Sequence, residues 1–173
     1  MILLVPIGPI PIYLISWLED KLGTLVDCPV KVGRAVPLPR TGYDSQRQQY
    51  EAGAVIDMLA ALECREAERL VGLIEQDCYS AGLNFIFGQA VSGGREAFVA
   101  LPRLCPPCSG LEEDKNLFKD RILKEVVHEL GHTWGLAHCD QPECVMRFSN
   151  SVQETDEKSP EFCDICRSKL PAG

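Results

Sequence analysis

Residues 128 to 138 read HELGHTWGLAH, and they hold every histidine the chain has. On a helix, residues four apart lie nearly one above the other, so His128 and His132 present their imidazoles to one point. Glu129 stands beside that point on a slightly different bearing, where it can hold a water without being a ligand. Gly135 can take the left-handed conformation that ends a helix and turns the chain back. His138, three residues later, then returns to the same point as a third nitrogen. Three neutral nitrogens leave one tetrahedral position open for water, the ligand count of a catalytic zinc rather than a structural one. The chemistry this predicts is attack of activated water on a peptide carbonyl, with Glu129 as general base and the metal stabilising the oxyanion. An accidental motif or a packed core histidine would have to account for all three histidines at once.

The second set of reactive groups is the cysteines. There are nine, an odd count that disulfides alone cannot close. Six fall in short-range pairs, Cys105/Cys108, Cys139/Cys144 and Cys163/Cys166. Such spacing lets one tight turn supply two thiolates to a tetrahedral zinc. Cys28, Cys64 and Cys78 lie in apolar or helical stretches and read as small buried hydrophobes. Cys105-Pro-Pro-Cys108 stays open between a redox pair, a competing zinc ligand pair and a rigid or disulfide-closed loop. The context of a redox CxxC, placed directly after the first strand of the fold, is missing.

These groups need a helix and a sheet to hold them. Leu117, Ile122, Val126, Val127, Leu130 and Trp134 recur at helical spacing, which predicts one long amphipathic helix over about 116–134. Upstream, MILLVPI reads as a buried strand, followed by a Gly-Pro turn and a helix over about 10–22. PVKVGRAVP alternates like a strand. Asp44 or Ser45 is the expected cap of a helix running through YEAGAVIDMLAAL. ERLVGLIE, LNFIFGQAV and AFVALPRL read as further strands, the last two joined by a turn at Ser92-Gly93-Gly94. Beyond His138 the chain is short and polar, with one helix expected near Ser159-Pro160. The pattern implies a mixed sheet in a single α/β or α+β domain.

With 173 residues, 46% of them apolar, the chain suits one compact domain. A net charge of −8 argues against nucleic acid or an anionic membrane as partner, and against a zinc-ribbon module that reads nucleic acid. Pro6, Pro9 and Pro11 would break a spanning helix in the apolar opening, and no basic residues precede it. The expectation is a cytoplasmic protein in a reducing compartment, where thiolates ligate metal rather than pair.

HExxHxxGxxH resembles the motif of the metzincin clan of metalloproteases. The continuation is more specific: Cys139 directly after His138, then Cys144, Met146 and Cys163-x-x-Cys166, a string similar to that of the archaemetzincins. YDSQRQQY and LNFIFGQA also resemble archaemetzincin segments. The resemblance implies a metzincin-like zincin fold, with an N-terminal part over 1–138 and a small C-terminal part over 139–173. It implies two zinc ions per chain: a catalytic one on His128, His132 and His138, and a structural one on Cys139, Cys144, Cys163 and Cys166. A short tail with little core would need such a staple. Met146 would be the clan's Met-turn methionine, a hydrophobic floor under the metal. The substrate would be a peptide or protein, with endopeptidase and aminopeptidase action both open. Asp140 and Glu143 are near the motif in sequence, and an acidic residue there would hold a free amine. Some metzincins have a tyrosine just after the Met-turn that assists the transition state, but here Arg147-Phe148 follow. That departure leaves a second reading: a zinc-binding protein of this fold with little or no turnover. Arg147 would substitute for the tyrosine or form a surface ion pair. Oligomeric state is not legible.

Overall fold

The two most apolar runs of the sequence pair in parallel at the centre of a five-stranded sheet. A computed structural model describes residues 1–106 and 112–171. In chain order the elements are β1 (Ile2–Ile7), α1 (Ile12–Leu25), β2 (Val30–Val32), β3 (Tyr43–Asp44), β4 (Gln49–Glu51) and α2 (Ala52–Ala60). There follow β5 (Arg69–Ile74), β6 (Cys78–Tyr79), β7 (Gly88–Ala90), β8 (Glu96–Ala100) and a 3-10 turn at Pro102–Leu104. The long helix α3 spans Glu112–Thr133, and the short helices α4 (Val152–Glu157) and α5 (Asp164–Arg167) complete the described chain.

The main sheet has the order β2-β1-β5-β8-β7, parallel throughout except for β7, which runs antiparallel to β8 at the edge. Parallel strands covered on both faces must be apolar along their whole length. Accordingly β5 reads RLVGLI, with all but its first residue buried. One face packs Leu4, Val71 and Val99 against Leu18 of α1 and Val126 and Leu130 of α3. The other packs Ile7, Ile74 and Phe98 against Val55 and Leu59 of α2. A small second sheet, β3-β4-β6, flanks this core. The mixed sheet and long helix are as expected.

Several local expectations need correction. Asp44 caps no helix; its Oδ1 accepts the N–H groups of Gln46 and Arg47 at 2.9 and 3.0 Å and closes the turn between β3 and β4. A short polar side chain can satisfy its own backbone this way, and the turn competes with helix initiation. Helix α2 starts at Ala52 instead, where the Glu51 carboxylate accepts the Ala54 N–H at 3.2 Å. PVKVGRAVP forms a strand only over Val30–Val32, with Val36 bridging Ile7 alone. LNFIFGQAV yields only the three residues of β7. Ser159-Pro160 lies between α4 and α5 rather than opening a helix, and its Ser159 N–H goes to the Glu143 carbonyl at 2.9 Å.

Polar contacts fasten α4 to α3. Arg121 donates to both carboxylate oxygens of Asp156 at 2.7 Å and to the Leu104 carbonyl at 3.0 Å. Arg121→Leu leaves that buried carbonyl unpaired, while Asp156, 31% exposed, regains water. The expected loss is about 1–2 kcal/mol, read as a thermal midpoint lower by roughly 3–8 °C.

Candidate active site and metal centres

His128 and His132 sit one turn apart near the end of α3, their ring centroids 4.7 Å apart. His128 Nδ1 lies 2.8 Å from the Val145 carbonyl, and His132 Nδ1 lies 2.8 Å from the Leu136 carbonyl. A carbonyl only accepts, so both Nδ1 atoms carry the proton and both Nε2 atoms are bare lone pairs. Those two Nε2 atoms face each other at 3.2 Å. A proton between them is disfavoured, because burial and the charge of Lys158 push His128 well below its ordinary pKa. Gly135, at φ +83°, reverses the chain as expected, and His138 joins the pair. One nitrogen from each of the three lies within 4.8 Å of the other two. Tetrahedral zinc with bonds of about 2.05 Å needs an N···N edge of about 3.3 Å, so the donor set fits that ion.

Glu129 lies beside this centre, 5% exposed. Burial raises its carboxyl well above the usual range, the neighbouring Glu125 raises it further, and Lys158 opposes both. The strand β7 passes directly over it. A Cβ added to Gly88 would stand 2.8 Å from Glu129 Oε1 and 2.6 Å from the Phe98 carbonyl. Gly88 therefore admits the carboxylate beneath the strand, a role not assigned from the sequence. The signal was a glycine inside a strand-like run, which marks a close approach. Phe87 and Val91 turn their backbones inward, Phe87 O to Ala100 N and Val91 N to Glu96 O. By antiparallel alternation the N–H and C=O groups of Gly88 and Ala90 face the open edge.

Met146 is fully buried under α3, where a Cβ on Gly131 would fall on its Sδ and stand 3.1 Å from Phe162. Alanine has about 1 kcal/mol better helix propensity than glycine, but displacing a packed methionine costs about 1–3 kcal/mol. Gly131→Ala is therefore expected to lower the thermal midpoint by a few degrees, and Gly131→Val by more.

Cys139, Cys144, Cys163 and Cys166 also converge, with all four sulfurs within 4.8 Å of one another. The Cys139 and Cys163 sulfurs are 3.8 Å apart. That is far from a disulfide bond of about 2.05 Å and equals the edge of a ZnS4 tetrahedron with bonds of about 2.3 Å. The Cys163 thiol is lowered to about 7, chiefly by the Cys166 N–H, while burial raises those of Cys144 and Cys166, so Cys163 is the thiol of the cluster that ionises most readily. Cys105 is exposed and joins neither group, and Cys108 lies outside the described residues. Cys78 is buried, its thiol pushed up to about 12, as a small hydrophobe should be. Cys28 and Cys64 are only half-buried, against expectation.

Arg147 does not reach toward the histidines; its Nη1 bonds Glu157 at 3.2 Å and the Pro142 carbonyl at 3.4 Å. Phe148 lays its ring 4.9 Å from that of His138. Asp140 and Glu143 are exposed and join neither donor group. Among the described residues, no helix is long and apolar enough to cross a membrane.

Comparison with known proteins agrees with this geometry. The sequence model of Peptidase family M54 matches residues 30–172. An archaemetzincin of Methanopyrus kandleri is 47% identical over 141 residues, covering 82% of this chain and 76% of its own. One from Pyrococcus furiosus is 40% identical over 176 residues, covering 98% and 92%. Among crystal structures, a zinc-dependent peptidase of Methanocorpusculum labreanum superposes with a TM-score of 0.87 at 28% identity, covering 99% of this chain and all of its own. The family match, the relatives and the shared fold place the chain in peptidase family M54, the archaemetzincins, zinc metallopeptidases of metzincin-like fold.

Proposed function

We propose that this chain hydrolyses peptide bonds at the His128–His132–His138 centre with Glu129 as general base, and that it holds two zinc ions. The observation that carries this is the pair of bare Nε2 atoms at 3.2 Å, each ring tied at Nδ1 to a carbonyl, beside a buried carboxylate. Zinc held there supplies a Lewis acid that acidifies water and polarises the scissile carbonyl. Glu129 accepts the proton of the attacking water and passes it to the departing amine. Its raised pKa suits that exchange, because a strongly acidic carboxylate would hold the proton too weakly. The outward N–H and C=O groups of Gly88 and Ala90 offer an extended peptide an antiparallel partner, so the substrate lies along β7 above Glu129. Met146 floors the site, and the cysteine centre holds the second zinc and cross-links the part from Cys139 to Cys166, which begins directly after His138. Four converging free thiols fit a reducing cytoplasm.

The reading with little turnover has one observation behind it. Arg147 is committed to Glu157, and Phe148 beside His138 has no proton to donate. Zinc-loaded protein incubated with a broad peptide library decides between them. Cleavage products appear on the first reading, and their positions separate internal from amino-terminal cleavage. No products at all supports the second.

A further inference from the structure

Lys158 and Glu125 are buried charges that the proposed hydrolysis does not use. Their side chains are 1% and 4% exposed, and Lys158 Nζ stands 3.1 Å from Glu125 Oε1. The ammonium donates again to the Arg147 carbonyl at 3.2 Å, and Thr155 Oγ1 donates to the same Glu125 oxygen at 3.2 Å. Replacing a buried ion pair by apolar groups is often neutral or stabilising, so stability alone is a poor reason for this one. Its geometric consequence is more telling. Arg147 ends a strap, Cys144–Arg147, that runs beneath the metal centre. Cys144 contributes a sulfur to the cysteine cluster, and Val145 gives the carbonyl that receives His128 Nδ1–H. Residues 158–163 hold that strap along its length: Lys158 at Arg147, the Glu161 carbonyl at Val145 N–H, and Cys163 N–H at the Cys144 sulfur. Glu125 in turn stands on α3 one turn before His128 and Glu129, so the same helix that carries the ligand anchors the ammonium.

We propose that Lys158, held by Glu125, is a positioning residue for the metal ligand His128: it clamps the Arg147 carbonyl and so fixes the Val145 carbonyl that sets the tautomer and aim of that ring. This rests on the reading of the three histidines as a zinc centre. Partners of this kind, which orient a ligand through the hydrogen bond at its far nitrogen, typically change metal affinity 10–100-fold when removed. An uncharged methionine at position 158 would fill the space but donate nothing to the carbonyl.

The test uses Lys158→Met and, because a lone buried Glu125 could unfold the chain, the charge-balanced Glu125→Gln/Lys158→Met pair. With only three histidines in the sequence, a nitrogen-15 imidazole NMR spectrum resolves each ring. In the folded double variant, with and without zinc, the His128 Nδ1–H signal is expected to shift and exchange faster while that of His132, bonded to Leu136, stays. Zinc affinity at the histidine centre is expected to fall at least tenfold while the cysteine centre keeps its ion. An unmoved His128 signal, or affinity that returns to the wild-type value once the double variant restores thermal stability, overturns the proposal and leaves Lys158 a structural residue. A wild-type histidine trio that binds no zinc contradicts the peptidase reading instead, and the metal-free spectra still decide the role of Lys158.

Discussion

Glu129→Gln is expected to lower peptide hydrolysis by at least 100-fold, and up to about 10,000-fold, with zinc content unchanged, since general acid–base catalysis contributes on that scale. The amide has the shape of the carboxylate but accepts no proton. The histidine nitrogens are untouched, so metal retention follows from their geometry. KM should change little and kcat should carry the loss, because the proton transfer occurs only in the transition state. Stability should move in the opposite direction. A buried carboxyl one turn from Glu125 is costly to hold charged, as its raised pKa indicates. The variant is therefore expected to melt at or above the wild-type temperature. Steady-state kinetics and a thermal melt on the same preparation check both halves. A variant that is inactive and also unstable would indicate a structural role for Glu129.

The second large effect is expected where no histidine is changed. Among the described residues beyond His138, the helices span six and four residues, too short to persist alone. A structural zinc on four thiolates contributes on the order of 10 kcal/mol in small metal-stapled units. Cys144→Ser removes one thiolate and loosens the strap whose next residue, Val145, fixes His128. It also frees Cys139, directly joined to the third histidine. Cys144→Ser should thus expose the region from Cys139 onward to proteolysis, lower the thermal midpoint by roughly 10 °C or more, and weaken zinc at both centres. Cys28→Ser, which joins neither cluster, should leave both metals in place. Hydrogen exchange over 139–171, followed by mass spectrometry, locates the damage. Protection retained there in Cys144→Ser would mean that the tail folds without its metal.

How much of this was legible in the sequence depended on whether the signal was local. The histidine motif was, because helical periodicity, one glycine and eleven contiguous residues fix the geometry without help from elsewhere. The fully buried parallel strand β5 was legible for the same reason: a run that is apolar on both faces has few places to go. The Asp44 cap failed because a helix start and an Asx turn use the same residue type, and only the pairing of β3 with β4 decides between them. The expected helix at Ser159-Pro160 failed because that segment is fixed by the Glu143 carbonyl, a contact across 16 residues of chain. Gly88 could be seen as a glycine in a strand, but its neighbour Glu129 lies 41 positions away. Lys158 and Glu125 gave no signal, since a charged residue reads as surface until its burial is known. The two donor clusters were thus visible and the groups that hold them in place were not.

The measurement that bears most directly on the central claim is native mass spectrometry of the zinc-loaded chain during stepwise chelation, with peptide hydrolysis followed on the same samples. Four thiolates hold zinc more tightly than three imidazoles with an open position, so two zinc ions per chain are expected, falling first to one. Hydrolysis should vanish in that first step and return when zinc is restored. Release of both ions together, or hydrolysis that persists in the one-zinc form, would contradict it.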